Sequence, residues 1–167
     1  MTPRKDKLYL VGFMGSGKTT LARALSRRLG WRAIDLDEEI ERREGRSVAQ
    51  VFAQEGEAYF RQVEREMLVT FLPLRNVVVA TGGGTFVQPA NRADILADGL
   101  SVWLDVPFAR IVDRVPSDGR RPLAANREAF AELFEERRAA YRQAHTRLDA
   151  QGRVDAIVER LFHQLGW

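Results

Sequence analysis

Short apolar runs alternate with amphipathic stretches along most of this chain. The runs Lys7–Val11, Ala33–Leu36, Val77–Ala80, Leu100–Leu104 and, more weakly, Thr146–Leu148 have the length and composition of strands. Val77-Val78-Val79-Ala80 is apolar at every position, which suits a strand covered on both faces. Between these runs the period changes. Leu21, Leu25 and Leu29 recur at i, i+4 and i+8, one face of a helix, with Gly30 behind them as its C′ residue. Glu57–Leu72 and Val154–Phe162 show similar helical spacing, and Pro107 is well placed to open a further helix. Strands alternating with helices predict an α/β fold with a parallel sheet and right-handed crossovers. Pro116–Asn126 interrupts the pattern: it has no period and is rich in Pro, Gly, Ser, Asp and Arg. A polar connection of that kind serves as a lid or binding loop.

The chain has 167 residues and no repeats or linkers, so a single domain spanning 1–167 is expected. It has 26 basic and 23 acidic residues, a net charge of +3, which raises the question of nucleic acid. Lys5, Lys7 and Lys18 are the lysines. The arginines lie mostly among glutamates, as in Glu38–Glu44, the pattern of a mixed solvated helix face. No basic block of the nucleic-acid type occurs, and the charge better suits small anionic substrates. There is no cysteine, which excludes disulfides and thiolate metal sites. No run reaches the roughly 18 apolar residues of a membrane span, and the polar N-terminus has no apolar signal segment behind it. These features predict a cytoplasmic protein without membrane or nucleic-acid partners.

Gly12-Phe13-Met14-Gly15-Ser16-Gly17-Lys18-Thr19 is a complete G-x-x-x-x-G-K-[ST] phosphate loop between a predicted strand and a predicted helix. Its backbone N–H groups, with the helix N-terminus behind them, form an anion cradle. Gly15, Ser16, Gly17, Lys18, Thr19 and Thr20 are therefore the expected nucleotide-binding set. Lys18 would reach the β- and γ-phosphates, and the Thr19 hydroxyl would sit on Mg²⁺. After the second run come Asp35 and Asp37, which face one side if that segment stays extended. Phosphoryl transfer needs one carboxylate for the metal and one for the nucleophile, which suits Asp35 and Asp37 in that order. Alternatively, Asp37 caps a helix starting at Glu38. Arg61 and Glu64 share a helix face, with Glu57 one turn before, as a preorganised carboxylate-binding fork or as a surface ion pair. Gly82, Gly83 and Gly84 follow the third run, where open α/β sheets bind ligands. Arg114, Arg120 and Arg121 bracket the long connection, and one of them closing over a γ-phosphate would stabilise developing charge. Arg137 and Arg138 sit in a charged helical stretch whose default reading is a solvated face. His145 and His163 have no partner pattern, and the tryptophans read as packing residues.

Together these motifs resemble the shikimate kinase family over nearly the whole chain. D-x-D, G-R-S before a helix (Gly45-Arg46-Ser47), F-R-x-x-E, G-G-G, R-P-L and R-x-x-x-Y occur here in the family's order and with similar spacing. The resemblance implies a P-loop kinase of the nucleoside-monophosphate-kinase type, with a five-stranded parallel sheet, a substrate-binding helical region near 37–65 and a mobile lid near 116–126. It implies a monomer that uses ATP and Mg²⁺ to phosphorylate the 3-hydroxyl of shikimate. Residue by residue, it makes Asp35 the Mg²⁺-associated aspartate and Asp37 the contact to the ring hydroxyls and candidate base. Arg61, oriented by Glu64, and Arg137, four before Tyr141, become the carboxylate-binding arginines, with Gly82, Gly83 and Gly84 as a wall. Arg121 becomes the lid arginine, while Arg114, and less closely Arg153, fall beside adenine. Leu123-Ala124 departs from the family's frequent R-P-L-L and touches lid packing. A different small-molecule kinase, such as a gluconate kinase, is the competing reading. A guanine-nucleotide switch is disfavoured because N-K-x-D is absent.

Overall fold

Five strands build one parallel sheet: β1 (Lys7–Val11), β2 (Arg32–Asp35), β3 (Val77–Ala80), β4 (Leu100–Asp105) and β5 (Thr146–Asp149). The structure is a computed structural model and describes residues 4–114 and 127–167. The expected lid at 116–126, with Arg120 and Arg121, lies outside the described residues. The strand order is β2-β3-β1-β4-β5, with Leu8 of β1 in register with Val78 on one side and Leu100 on the other. The chain leaves β1 toward β2 but leaves β3 toward β4. The connections therefore part above the carboxyl ends of β1 and β3, the crevice where such sheets bind ligands.

The helices are α1 (Lys18–Leu29), α2 (Leu36–Glu44), α3 (Val48–Glu55), α4 (Glu57–Phe71), α5 (Pro89–Asp98), α6 (Phe108–Arg114), α7 (Arg127–Tyr141) and α8 (Val154–Leu165), with a short 3-10 turn at Thr85–Val87. In α1 Lys18, Leu21, Ala22 and Leu25 are buried and Leu29, the third leucine of the predicted face, is partly buried, and Gly30 closes the helix through its N–H to Ser26 O. Each such leucine contributes about 1.5–3 kcal/mol by leaving water. Strands β1 and β3 are buried at every position, as the apolar runs Leu8–Val11 and Val77–Ala80 require, and Lys7 at the start of β1 is buried with them. Pro107 immediately precedes α6, and Pro89 is the first residue of α5.

One boundary differs from the pattern, with chemical consequences. Leu36 extends the second apolar run, yet it belongs to α2, and β2 ends at Asp35. Asp35 is the N-cap: its Oδ1 accepts the Glu38 N–H at 3.1 Å. The helix therefore starts before Glu38, and the capping duty falls on Asp35 instead of Asp37. Two residues after the strand, Asp37 is on the first helical turn rather than in an extended segment.

At the opposite end of the sheet the fold buries charge. Lys7 of β1 is fully buried; its Nζ donates to Phe71 O (2.7 Å) and pairs with Asp98 (2.8 Å). Tyr9 and Arg75 also donate to Asp98. Burial pushes the Asp98 carboxyl up, but the hydrogen bonds from Lys7, Tyr9 and Arg75 outweigh it and hold the group below its ordinary value. A depressed carboxyl contributes stability above its unfolded value, about 3.9, and that contribution is lost as pH falls through the lower folded value. The thermal midpoint should therefore drop between pH 5 and pH 3, by roughly 2–4 °C per kcal/mol lost. Asp98→Asn should be less stable at pH 7 and show a shallower acid slope over that interval. Equal slopes in calorimetry would contradict this account. His145 also has a structural place: its Nδ1 accepts the Ser101 N–H at 3.0 Å, tying the start of β4 to the entry of β5.

Candidate active site

Above the carboxyl ends of β1 and β3 lies a cavity of about 780 Å³. The loop between β1 and α1 forms its floor. Gly17, at φ 95° immediately before α1, takes a left-handed conformation that a Cβ would strain, and it turns the chain into the helix. Lys18 is buried, with Nζ donating to the carbonyls of Gly12 (2.7 Å) and Phe13 (2.9 Å). Its ammonium thus lies folded along the loop that carries it. The Ser16 hydroxyl is buried in the same loop without a hydrogen-bond partner, the state of a donor awaiting an oxygen. Thr19 Oγ1 donates to Asp35 Oδ2, so a hydroxyl and a carboxylate meet at the first turn of α1. Two such oxygens suit Mg²⁺, which keeps waters and phosphate oxygens as its other ligands. Among the described residues no cluster of three or more His, Asp or Glu could hold a metal by itself.

The far wall is built by α4, the glycines and α7. In α4, Glu64 falls on the apolar stripe with Phe60, Val63 and Met67 and is nearly fully buried. Its Oε1 accepts from Arg61 Nη1 at 3.0 Å, while Glu57 approaches the same guanidinium at 3.6 Å. The ion pair expected on spacing therefore exists, but inside the cavity and not on the surface. Arg61 Nε is buried and has no protein partner. In α7, Arg137 lies on the stripe of Phe130, Phe134 and Tyr141 and is 6% exposed, which overturns its default reading as a solvated residue. Burial holds its guanidinium below the ordinary arginine range. No carboxylate among the described residues is in ion-pair contact with it. Arg138, one position on, leaves the cavity and packs against Trp103 at 5.4 Å.

The three glycines let these groups close on the backbone. A Cβ on Gly84 would stand 2.5 Å from Arg61 Nη2, and one on Gly83 would stand 3.1 Å from Arg137 Nη1. Adjacent residues of one wall thus carry two guanidinium groups, an arrangement able to receive a carboxylate. A Cβ on Gly82 would stand 2.9 Å from Asp37 Oδ1. Asp37 therefore rests against this wall and lines the same cavity as the phosphate loop.

Most of the expected residues meet here: Gly15 to Thr20, Asp35, Asp37, Arg61, Glu64, Gly82 to Gly84, Arg114 and Arg137 all line the cavity. Arg114 reaches Gly15 O through Nη1 at 3.3 Å. Arg153 does not join them. Its side chain is 88% exposed and turns to Asp155 at 3.4 Å, because it precedes α8 and points outward while Gly152 and Val154 line the cavity. Sequence reasoning missed Thr85, which is fully buried and donates to Glu64 Oε2 at 2.9 Å. It also assigned no role to Tyr141, which donates to Gly83 O.

A parallel sheet in this order, with a glycine loop leading into α1 and a hydroxyl and carboxylate meeting beside it, defines a P-loop kinase fold. Deoxyadenosine kinase from M. mycoides shares that fold, with a TM-score of 0.69 at 16% identity over 96% of this chain and 100% of that one. More narrowly, the chain belongs to the shikimate kinase family, whose model matches residues 14–166. The shikimate kinase of Persephonella marina is 42% identical over 147 residues, 87% of this chain and 90% of that protein. The structure of shikimate kinase from Acinetobacter baumannii in complex with shikimate superposes with a TM-score of 0.91 at 33% identity, over 98% of this chain and 95% of that one.

Proposed function

We propose that this protein transfers the γ-phosphoryl group of ATP to the 3-hydroxyl of shikimate. The observation that carries the reading is the pair of arginines on the glycine wall, Arg137 buried and Arg61 largely so, with Asp37 against the same wall in the cavity that the phosphate loop lines. A small acid whose carboxylate entered that fork would present a hydroxyl toward Asp37 and the loop. The Asp37 carboxylate accepts the hydrogen bond of that hydroxyl and orients its oxygen toward the γ-phosphorus. As the new P–O bond forms, the bond to the β–γ bridging oxygen breaks, ADP leaves, and the hydroxyl proton passes to Asp37. Lys18 exchanges its contacts with Gly12 and Phe13 for phosphate oxygens, joined by the Ser16 hydroxyl and the loop N–H groups. Thr19 and Asp35 would hold Mg²⁺, which supplies charge neutralisation on the phosphates when bound. Arg121, on sequence resemblance, is assigned charge stabilisation at the transferred group, and Arg114 a place at the nucleotide.

A coupled assay of ADP release with shikimate, gluconate and a shikimate analogue lacking the carboxylate tests the reading. Turnover with shikimate well above both others is expected. Equal turnover with the analogue, or preference for gluconate, would remove the fork from the account.

A further inference from the structure

Glu64 orients Arg61 through one carboxylate oxygen, and its other oxygen has a partner of its own. That oxygen, Oε2, accepts from Thr85 Oγ1 at 2.9 Å. The same hydroxyl accepts the Gly82 N–H, also at 2.9 Å. One fully buried hydroxyl thus joins the helix bearing the carboxylate fork to the glycine against which Asp37 rests. A Cβ on Gly82 would lie 3.2 Å from Thr85 Oγ1, 3.2 Å from Glu64 Oε2 and 2.9 Å from Asp37 Oδ1, so the three groups converge over a single Cα. Thr85 is itself fixed from behind. Asn91, 1% exposed, donates to Thr85 O at 3.1 Å and accepts from Arg65 at 3.2 Å.

We infer that Thr85 is a positioning residue that sets the spacing between the carboxylate fork and the nucleophile-orienting aspartate. Its side chain is fully buried and does not line the cavity. The inference deepens the proposed function and rests on it. The physical reason is the double role of the hydroxyl. Donating to Glu64 requires the O–H, and accepting from Gly82 requires a lone pair, and no aliphatic side chain of the same shape offers either. Without the O–H, Glu64 keeps only Arg61 as its partner and its buried carboxylate turns to find another. Arg61 follows it, because Nη1 is bound to that group and Nε is held by nothing. The fork then opens relative to Asp37, although every group that contacts the substrate is still present.

Thr85→Val keeps the shape and removes the hydroxyl; Thr85→Ser keeps the hydroxyl. In Thr85→Val, KM for shikimate should rise about tenfold or more, the effect of taking the shared partner from two buried polar groups, Glu64 Oε2 and the Gly82 N–H. KM for ATP should stay within about twofold, because neither group touches the phosphate loop. Thr85→Ser should return KM for shikimate most of the way to its original value. Should Thr85→Val not fold, Thr85→Ala carries the same readout with more room for relaxation. An unchanged KM for shikimate in a folded variant lacking the hydroxyl overturns the inference. So do equal losses for both substrates, or a serine variant no better than valine. If the unaltered protein fails to turn over shikimate, the functional reading falls and takes this inference with it. If the unaltered protein is active and the variants are indifferent, the inference falls alone.

Discussion

A Lys18→Met protein folds normally and turns over at least about 10²–10³-fold more slowly, the scale of removing a preorganised charge from a developing oxyanion. Methionine fills the space of the aliphatic stem in this buried position, so packing changes little. What disappears is the only lysine ammonium in the loop, which in this structure bridges the carbonyls of Gly12 and Phe13. Those carbonyls lose a donor, at about 1–3 kcal/mol if nothing replaces it, which lowers the thermal midpoint by a few degrees without unfolding the chain. Steady-state turnover by ADP release, with circular dichroism as the control for folding, separates the two effects. Turnover near the original value in a folded Lys18→Met protein would sink the assignment of the loop.

Arg137→Met should produce opposite changes in function and stability. Shikimate binding weakens by about 2–5 kcal/mol, the penalty for removing one partner of a buried charge pair, while ATP affinity changes far less. The free protein, by contrast, should become more stable. Arg137 is a buried cation with no carboxylate in contact among the described residues, and burial already disfavours its charged form. An apolar side chain of similar length relieves that penalty. The hydrogen bond between Arg137 and Tyr141 is lost, but the Tyr141 hydroxyl keeps its bond to Gly83 O and is not left unpaired. Calorimetric titration with shikimate and thermal unfolding without ligand measure the two halves separately. A fall in both would mean that Arg137 is a structural residue and that the fork has only one arm.

Where apolar runs met apolar environments, the fold could be read directly from the chain. Strands β1 and β3 and the faces of α1, α4 and α8 follow from hydrophobic periodicity, because burial set both the pattern and the packing. The error at β2 has a local cause. Leu36 continues an apolar run, and the run alone cannot show that Asp35 takes up a helical N–H and ends the strand. The site was legible where a motif fixes backbone geometry, as at Gly12–Thr19 and Gly82–Gly84. It was less legible where function resides in a contact between distant segments. Thr85 follows the glycines as an ordinary polar residue, and only the fold brings it to Glu64, 21 positions earlier. A usable signal did exist in the helices. Glu64 and Arg137 are charged residues on otherwise apolar stripes, and each proves to face the cavity. Lys7 breaks the apolar pattern in the same way and serves packing instead, since its partner Asp98 lies at the opposite end of the sheet from the cavity. A charge out of place in the pattern thus marks a buried polar contact, and its position in the fold decides which kind.

The contacts around Lys7 bear on how the protein meets its ligand. Helix α4 carries Arg61 in its first half and Glu64 at its midpoint, and the carbonyls of its last residue and C-cap are taken up by Lys7 and Arg75, from β1 and from the segment before β3. The C-terminal end of the helix is thereby fastened to the central strand of the sheet, and its midpoint is fastened through Glu64 to Thr85. A helix held at its midpoint and its C-terminal end has no cheap local opening between them, so the amide hydrogens of that half should exchange only in step with global unfolding. The arginine on it is then ordered before any ligand arrives, and the entropy of arranging it is spent once, during folding, rather than at each encounter. Association at this wall should consequently be a single-step process whose rate rises linearly with ligand concentration, with no saturating phase from a rearrangement of α4.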